Sequence, residues 1–292
     1  MLRLAPLVLA ALAPGLTSAA AIDWSTDLAG AFRRAAETGQ PVLVHVTANP
    51  CGYRAPIGNP GDVHETDCER LEADTLSKAS FADAASRFLP VIVNFAARTG
   101  DSPVERDLLR RWKVGTVPTL LVADPWGSEV IRLIGRTPLD NAVRVLRAIP
   151  GDFQPLRAAG EALRDDPERL AALLAAAAFY EASGLRPVAE RYYARAADTP
   201  AAKAGTDPRR GVVIPRGLNL LQIGRAKEAA RVFSDEAGRD ADGGQADAVL
   251  FGWAMAELTA GNRGKAQQVA DDLARRFPQS PYAQRLQQNL KR

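Results

Sequence analysis

Apolar positions follow two different rules along this chain, and the change between them comes near residue 150. In the first half the apolar period switches repeatedly between about four and continuous runs. Trp24, Leu28, Phe32 and Ala36 recur every four residues, so the spacing predicts a helix over Asp23 to Thr38, stopped by Gly39. Val42-Leu43-Val44-His45-Val46 is a β-branched run suited to a strand buried on both faces. Asn49 to Glu65 carries three Pro and three Gly and predicts neither helix nor strand. Helix is expected again from Thr66, where Thr66-Asp67-Cys68-Glu69 forms a capping box, and again over Phe81 to Phe88. Val91 to Phe95 predicts a strand and Pro103 to Trp112 a helix. Thr119 to Ala123 and Glu129 to Ile134 predict two strands joined by the turn Asp124 to Gly127, and Leu139 to Ala148 a closing helix. The expected order is α-β-α-α-β-α-β-β-α, an α/β unit whose mixed sheet has flanking helices.

Pro150-Gly151 and Pro155 read as a linker, after which no strand pattern survives and Ala, Arg and Leu dominate. This half repeats itself. Gly184 precedes Ala189, Gly224 precedes Ala229 and Gly261 precedes Ala266, always by five positions, at spacings of 40 and 37 residues. Each Gly is expected to close a helix and each Ala to let the next helix pack closely. Ser280-Pro281 supplies an N-cap and a first-turn proline for a last helix reaching Leu290. The expected division is therefore a leader over 1–21, an α/β domain over 22–150 and an all-α helical-repeat domain over 151–292. A cut between Pro150 and Gly151 is expected to leave two halves that fold alone.

The leader changes the chemical picture. Met1-Leu2-Arg3, the apolar stretch Leu4 to Leu16 and Ala19-Ala20-Ala21 have the order of an export signal cleaved near Ile22. The chain is then expected to be periplasmic or extracellular, with no membrane contact once the signal is gone. Net charge is +3, from 37 basic and 34 acidic residues, without a basic run carrying aromatics, so nucleic acid is not an expected partner. An exported chain meets an oxidising space, and its two cysteines, Cys51 and Cys68, are expected to pair. A bridge closing a loop of that length stabilises by roughly 3 kcal/mol in the chain-entropy picture.

The chain's two histidines, His45 and His64, fall in the same stretch as its two cysteines. Two imidazoles and two thiolates suit Zn²⁺ or Cu(I), but their spacing fits no zinc ribbon or finger, so no metal and no other cofactor is expected.

Val114-Gly115-Thr116-Val117-Pro118-Thr119 resembles the cis-proline loop of the thioredoxin superfamily, placed before a core strand. The turn Asp124 to Gly127 and the helix-then-strand lead into Val42 to Val46 are similar to the same family. The resemblance covers roughly Ile22 to Ile149 and implies a thioredoxin-like fold, a cis Val117–Pro118 bond, and a substrate segment held at Val117 and Pro118. It also implies redox cysteines: Thr47 to Cys51 matches the approach to the first, and the helix from Cys68 the second. Here the chain departs from the pattern, because sixteen residues rather than two separate them. His45, six positions before Cys51, matches the place of the family's buried acid and is the candidate proton relay. Cys51, Cys68 and His45 are thus the candidate catalytic set, with Cys68 at a capped helix start that favours a thiolate. The helical half resembles tetratricopeptide-type repeats, which implies a client protein or peptide held in a concave groove. Two functions remain open: thiol–disulfide exchange on such clients, or a non-catalytic interaction scaffold whose Cys51–Cys68 disulfide is structural.

Overall fold

The computed structural model describes residues 22–48, 67–94, 107, 110–239 and 244–290. The first half is a four-stranded mixed sheet in the order β2-β1-β3-β4. β1 (Val42–Thr47) runs parallel to β2 (Leu89–Asn94) and antiparallel to β3 (Thr119–Ala123), which pairs antiparallel with β4 (Glu129–Ile134). β1 is buried along its whole length, as its β-branched run predicts.

Alternation on β1 assigns the two faces. Val42, Val44 and Val46 pack with Val91, Val93 and Leu121 under helix α1 (Leu28–Thr38), joined by Trp112. Leu43, Leu120 and Val122 face the other way. They meet α2 (Asp67–Leu71), the π turn that continues it to Leu76, α3 (Ala79–Ala85) and α4 (Leu139–Ala148). β3, β4 and α4 begin and end where the apolar pattern places them.

Two helices differ from expectation. α1 begins at Leu28, not Asp23, because the Asp27 carboxylate caps it by accepting from the Gly30 amide at 2.7 Å. The five residues before that cap run alongside the sheet instead, with Ser25 bridging to Val91. Trp24 thus owes its place to the sheet, not to the helical period it shares with Leu28. α3 stops at Ala85, three residues short of Phe88, where Ser86 turns its hydroxyl back onto the Asp83 carbonyl. The stretch 49–66 lies outside the described residues, as do Phe95 and much of the helix expected over Pro103 to Trp112. Asp107, Arg110 and Arg111 are helical.

The second half is all helix: α5 (Arg157–Asp165), α6 (Leu170–Ala182), α7 (Arg186–Asp198), α8 (Pro200–Lys203), α9 (Thr206–Gln222), α10 (Ala226–Arg239), α11 (Ala246–Thr259), α12 (Arg263–Arg276) and α13 (Pro281–Leu290). Gly184, Gly224 and Gly261 all adopt left-handed backbone, at φ 76°, 77° and 85°. Each closes its helix with the same pair of bonds. The glycine amide reaches back three residues, and the next amide five, to Tyr180, Leu220 or Glu257. Ala189, Ala229 and Ala266 are fully buried in the following helices. Ser280 caps the last helix through the Tyr282 amide.

The linker does not divide the core. Phe153, Leu156, Leu173, Ala176 and Tyr180 belong to the same buried cluster as Leu43, Phe81, Val122 and Ile149. The Phe153 amide also donates to the Gly39 carbonyl. α5 to α7 thus complete the sheet's own core. Apolar clusters without sheet residues form further on, among α9, α10 and α11 and among α11, α12 and α13. Among the described residues, no helix is long and apolar enough to cross a membrane.

Candidate functional site

Cys68 is the second residue of α2, buried to 6% exposure, and its sulfur is held in a disulfide. Cys51, the chain's other cysteine, lies outside the described residues. Burial of Leu71 and Leu76 against the sheet sets the helix in place, and the Thr75 hydroxyl anchors it by donating to the Thr137 carbonyl at 2.7 Å. Asp67 and Glu69 flank Cys68 in the first turn. Their charges complement the helix dipole but oppose a thiolate between them, so the two electrostatic influences on Cys68 have opposite signs.

His45 lies on β1, opposite Ile92 on one side and Leu120 on the other, at 3% exposure. It shares the parity of Leu43 and so projects from the sheet face on which α2 packs. Its ring lies 5.6 Å from that of Trp24, tilted by 56°. Among the described residues Nε2 has no hydrogen-bond partner. Desolvation lowers its pKa from 6.5 to about 4, because the apolar surroundings penalise the imidazolium. His45 is therefore neutral at ordinary pH. Proton storage is beyond it; brief acceptance and release is not.

The Val117–Pro118 bond is cis and leads directly into β3. The Thr119 hydroxyl closes the loop onto the Thr116 carbonyl at 2.8 Å, and the Pro118 carbonyl accepts from the Gly135 amide. Thr119 lies opposite Val46 on β1, one residue beyond His45, and opposite Ile134 on β4. Ile134 is 60% exposed, which leaves an apolar side chain at the surface beside the loop. The sheet thus brings His45 and the Pro118 loop to neighbouring strands, and places His45 on the face that Cys68's helix covers. Among the described residues no group of His, Cys, Asp or Glu is arranged to hold a metal ion.

One polar centre escaped the sequence reading. Asp124, read there only as a turn residue, is buried and accepts from the Trp126 and Ser128 amides and from the Tyr180 hydroxyl at 2.9 Å. Burial raises its pKa against the opposing pull of those bonds, and Tyr180 rises well above its ordinary value for the same cause. Tyr180 stacks on Tyr192 at 5.3 Å. This network pins α6 to the β3–β4 turn. The only local sign of it was an Asp opening a Pro-containing turn, and nothing near Tyr180 marked its partner.

Residues 28–150 match a family model described as a thioredoxin-like domain. The sheet order and the cis-proline loop before β3 likewise fit a thioredoxin-like fold in the first half, followed by an all-helical region. A solved structure titled DsbH oxidoreductase is similar at 18% sequence identity and a TM-score of 0.36, over 49% of this chain and 96% of its own. No curated protein matches the chain.

Proposed function

We propose that this is an exported protein that exchanges disulfides with client proteins through Cys51 and Cys68. The observation that carries the reading is the disulfide-bonded Cys68 at the start of a helix packed over His45's face of a thioredoxin-like sheet. In the exchange, a client thiolate attacks Cys51, the Cys51–Cys68 bond breaks, and Cys68 leaves as thiolate. A second client thiolate then attacks the mixed disulfide and releases Cys51, so the client gains a disulfide and the protein a dithiol. Attack at Cys51 is favoured because Cys68 is nearly inaccessible. His45 supplies a neutral imidazole that relays a proton to the departing Cys68 thiolate. The substrate segment lies along Val117 and Pro118, beside exposed Ile134. The helical region, with its resemblance to tetratricopeptide-type repeats, recruits the client, and the leader over 1–21 directs export.

A second reading is favoured by the burial of Cys68 itself. A bridge this inaccessible serves as well as a staple for the segment between the cysteines, leaving the domain as an interaction scaffold. Equilibration of the purified protein against glutathione buffers separates the two. Exchange predicts a potential more oxidising than about −300 mV, reduction of insulin or oxidation of a dithiol peptide, loss of both in Cys68→Ser and slowing in His45→Ala. A potential below that value with no turnover leaves the scaffold reading.

A further inference from the structure

A cleft of about 530 Å³ opens where the β3–β4 turn meets the first helices of the second half. Its apolar lining comes from Trp126, Leu156, Leu163 and Tyr192, and its charged rim from Arg111, Arg164, Arg191 and Arg195. Two carboxylates also line it, and both are already committed. Asp124 is consumed by the turn amides and Tyr180, and Glu129 pairs with Arg132 at 2.5 Å. Arg111 pairs with Asp107 and Arg164 with Asp165. Arg191 and Arg195 have no carboxylate within ion-pair distance among the described residues. They donate instead to the backbone carbonyls of Glu129, Val130 and Pro167.

Those two arginines sit one helical turn apart on α7, with exposed heads on the same face. Arg195 lies over the ring of Tyr192, which holds the guanidinium in place at little entropic cost. Each fork retains N–H groups that its carbonyl partner does not use. On the opposite wall, Trp126 lies against Gly160, where any Cβ would overlap its ring. The cleft therefore joins an apolar, aromatic wall to a pair of positive charges that lack a counter-charge. The volume is in the range of small-ligand sites.

We propose that this cleft binds a carboxylate carried on an apolar or aromatic body, the chemistry found at the free C-terminus of a peptide. Arg191 and Arg195 receive the carboxylate, and Trp126 and Leu163 cover the attached side chain. Cys68 is not among the residues that line it, and the proposal does not depend on the exchange reading.

Trp112 and Trp126 line the cleft, so intrinsic tryptophan fluorescence reports on occupancy. The full mature chain is titrated with N-acetylphenylalanine, with its C-terminal amide, and with inorganic phosphate. The expected result is a saturable change with the acid alone, weakened about tenfold in Arg195→Gln, the loss of one charge-assisted hydrogen bond. Arg164→Gln, at an exposed arginine paired only with its neighbour, weakens binding less and serves if the first variant melts early by circular dichroism. Equal binding of the amide overturns the role of the arginines. Equal binding of phosphate overturns the role of the aromatic wall. No saturable change with the acid up to about 10 mM, the edge of specific affinity, overturns the site.

Discussion

The helices nearest the linker and those at the far end share the same turn chemistry but not the same dependence on the rest of the chain. α6–α7 and α11–α12 are each closed by a left-handed glycine followed by a buried alanine. Yet α6 is buried against the sheet's own core and hydrogen-bonded to Asp124, whereas α11 and α12 pack with α13 in a cluster without sheet residues. α6 is apolar nearly all round because its solvent face, at Ala171, Ala175 and Ala178, is alanine too. Local construction is thus modular while energetic construction is not. Composition changes at residue 150, but the boundary of the core falls several helices later.

Dissection tests that contrast most severely. In a fragment of residues 151–292, the amides of 170–198 are expected to lose most of their hydrogen-exchange protection, because Phe153, Leu173 and Tyr180 lose their cover. Burial of each such side chain is worth roughly 1.5–3 kcal/mol. Amides of 246–290 should keep theirs. Equal protection across the fragment would restore a boundary at the linker.

On the sheet side, acid should act through His45. The His45 pKa is depressed from 6.5 to about 4 in the folded chain, so below pH 6.5 the unfolded chain binds more protons. Stability is fully present above pH 6.5 and falls by about 3 kcal/mol as pH drops toward 4. Urea unfolding at pH 7 and 4.5 measures this, and His45→Leu should remove most of the slope. If His45→Leu leaves the slope unchanged, another group carries it.

Two glycines give a matched pair. An added Cβ at Gly160 would overlap Trp126, across the junction, and one at Gly252 would overlap Phe233, within the distal helices. Both alanine variants should lose about 1–3 kcal/mol. Gly160→Ala should loosen the β3–β4 turn and α6 together, whereas Gly252→Ala should spare the sheet. Exchange patterns that fail to differ would erase the distinction.

The smallest effect isolates the shared element. Gly224 has open space around its α-carbon, so Gly224→Ala meets no clash and suffers only the left-handed backbone. The expected loss is about 1 kcal/mol, and Gly261→Ala should match it. Thermal melts of the two variants check this, and a loss several times larger at either site would mean the turns are not equivalent.

Much of the architecture was legible from the chain because its causes are local. A β-branched run marked β1, turn residues marked Asp124 to Gly127, and each repeat glycine marked a helix end. These signals act within a few residues, where backbone sterics and apolar period decide. The same locality misplaced the start of α1, since Trp24 continues the helical period but Asp27 caps the helix after it. His45 could be nominated by position, but its neutrality follows from being enclosed against Trp24 by the folded sheet. The bond between Asp124 and Tyr180 spans 56 residues, and Arg191 reaches the carbonyls of β4 across about as many. Such contacts exist only after the chain closes on itself. No local period encodes which buried polar group meets which partner. The junction and its arginine-rimmed cleft were therefore decided by tertiary structure alone.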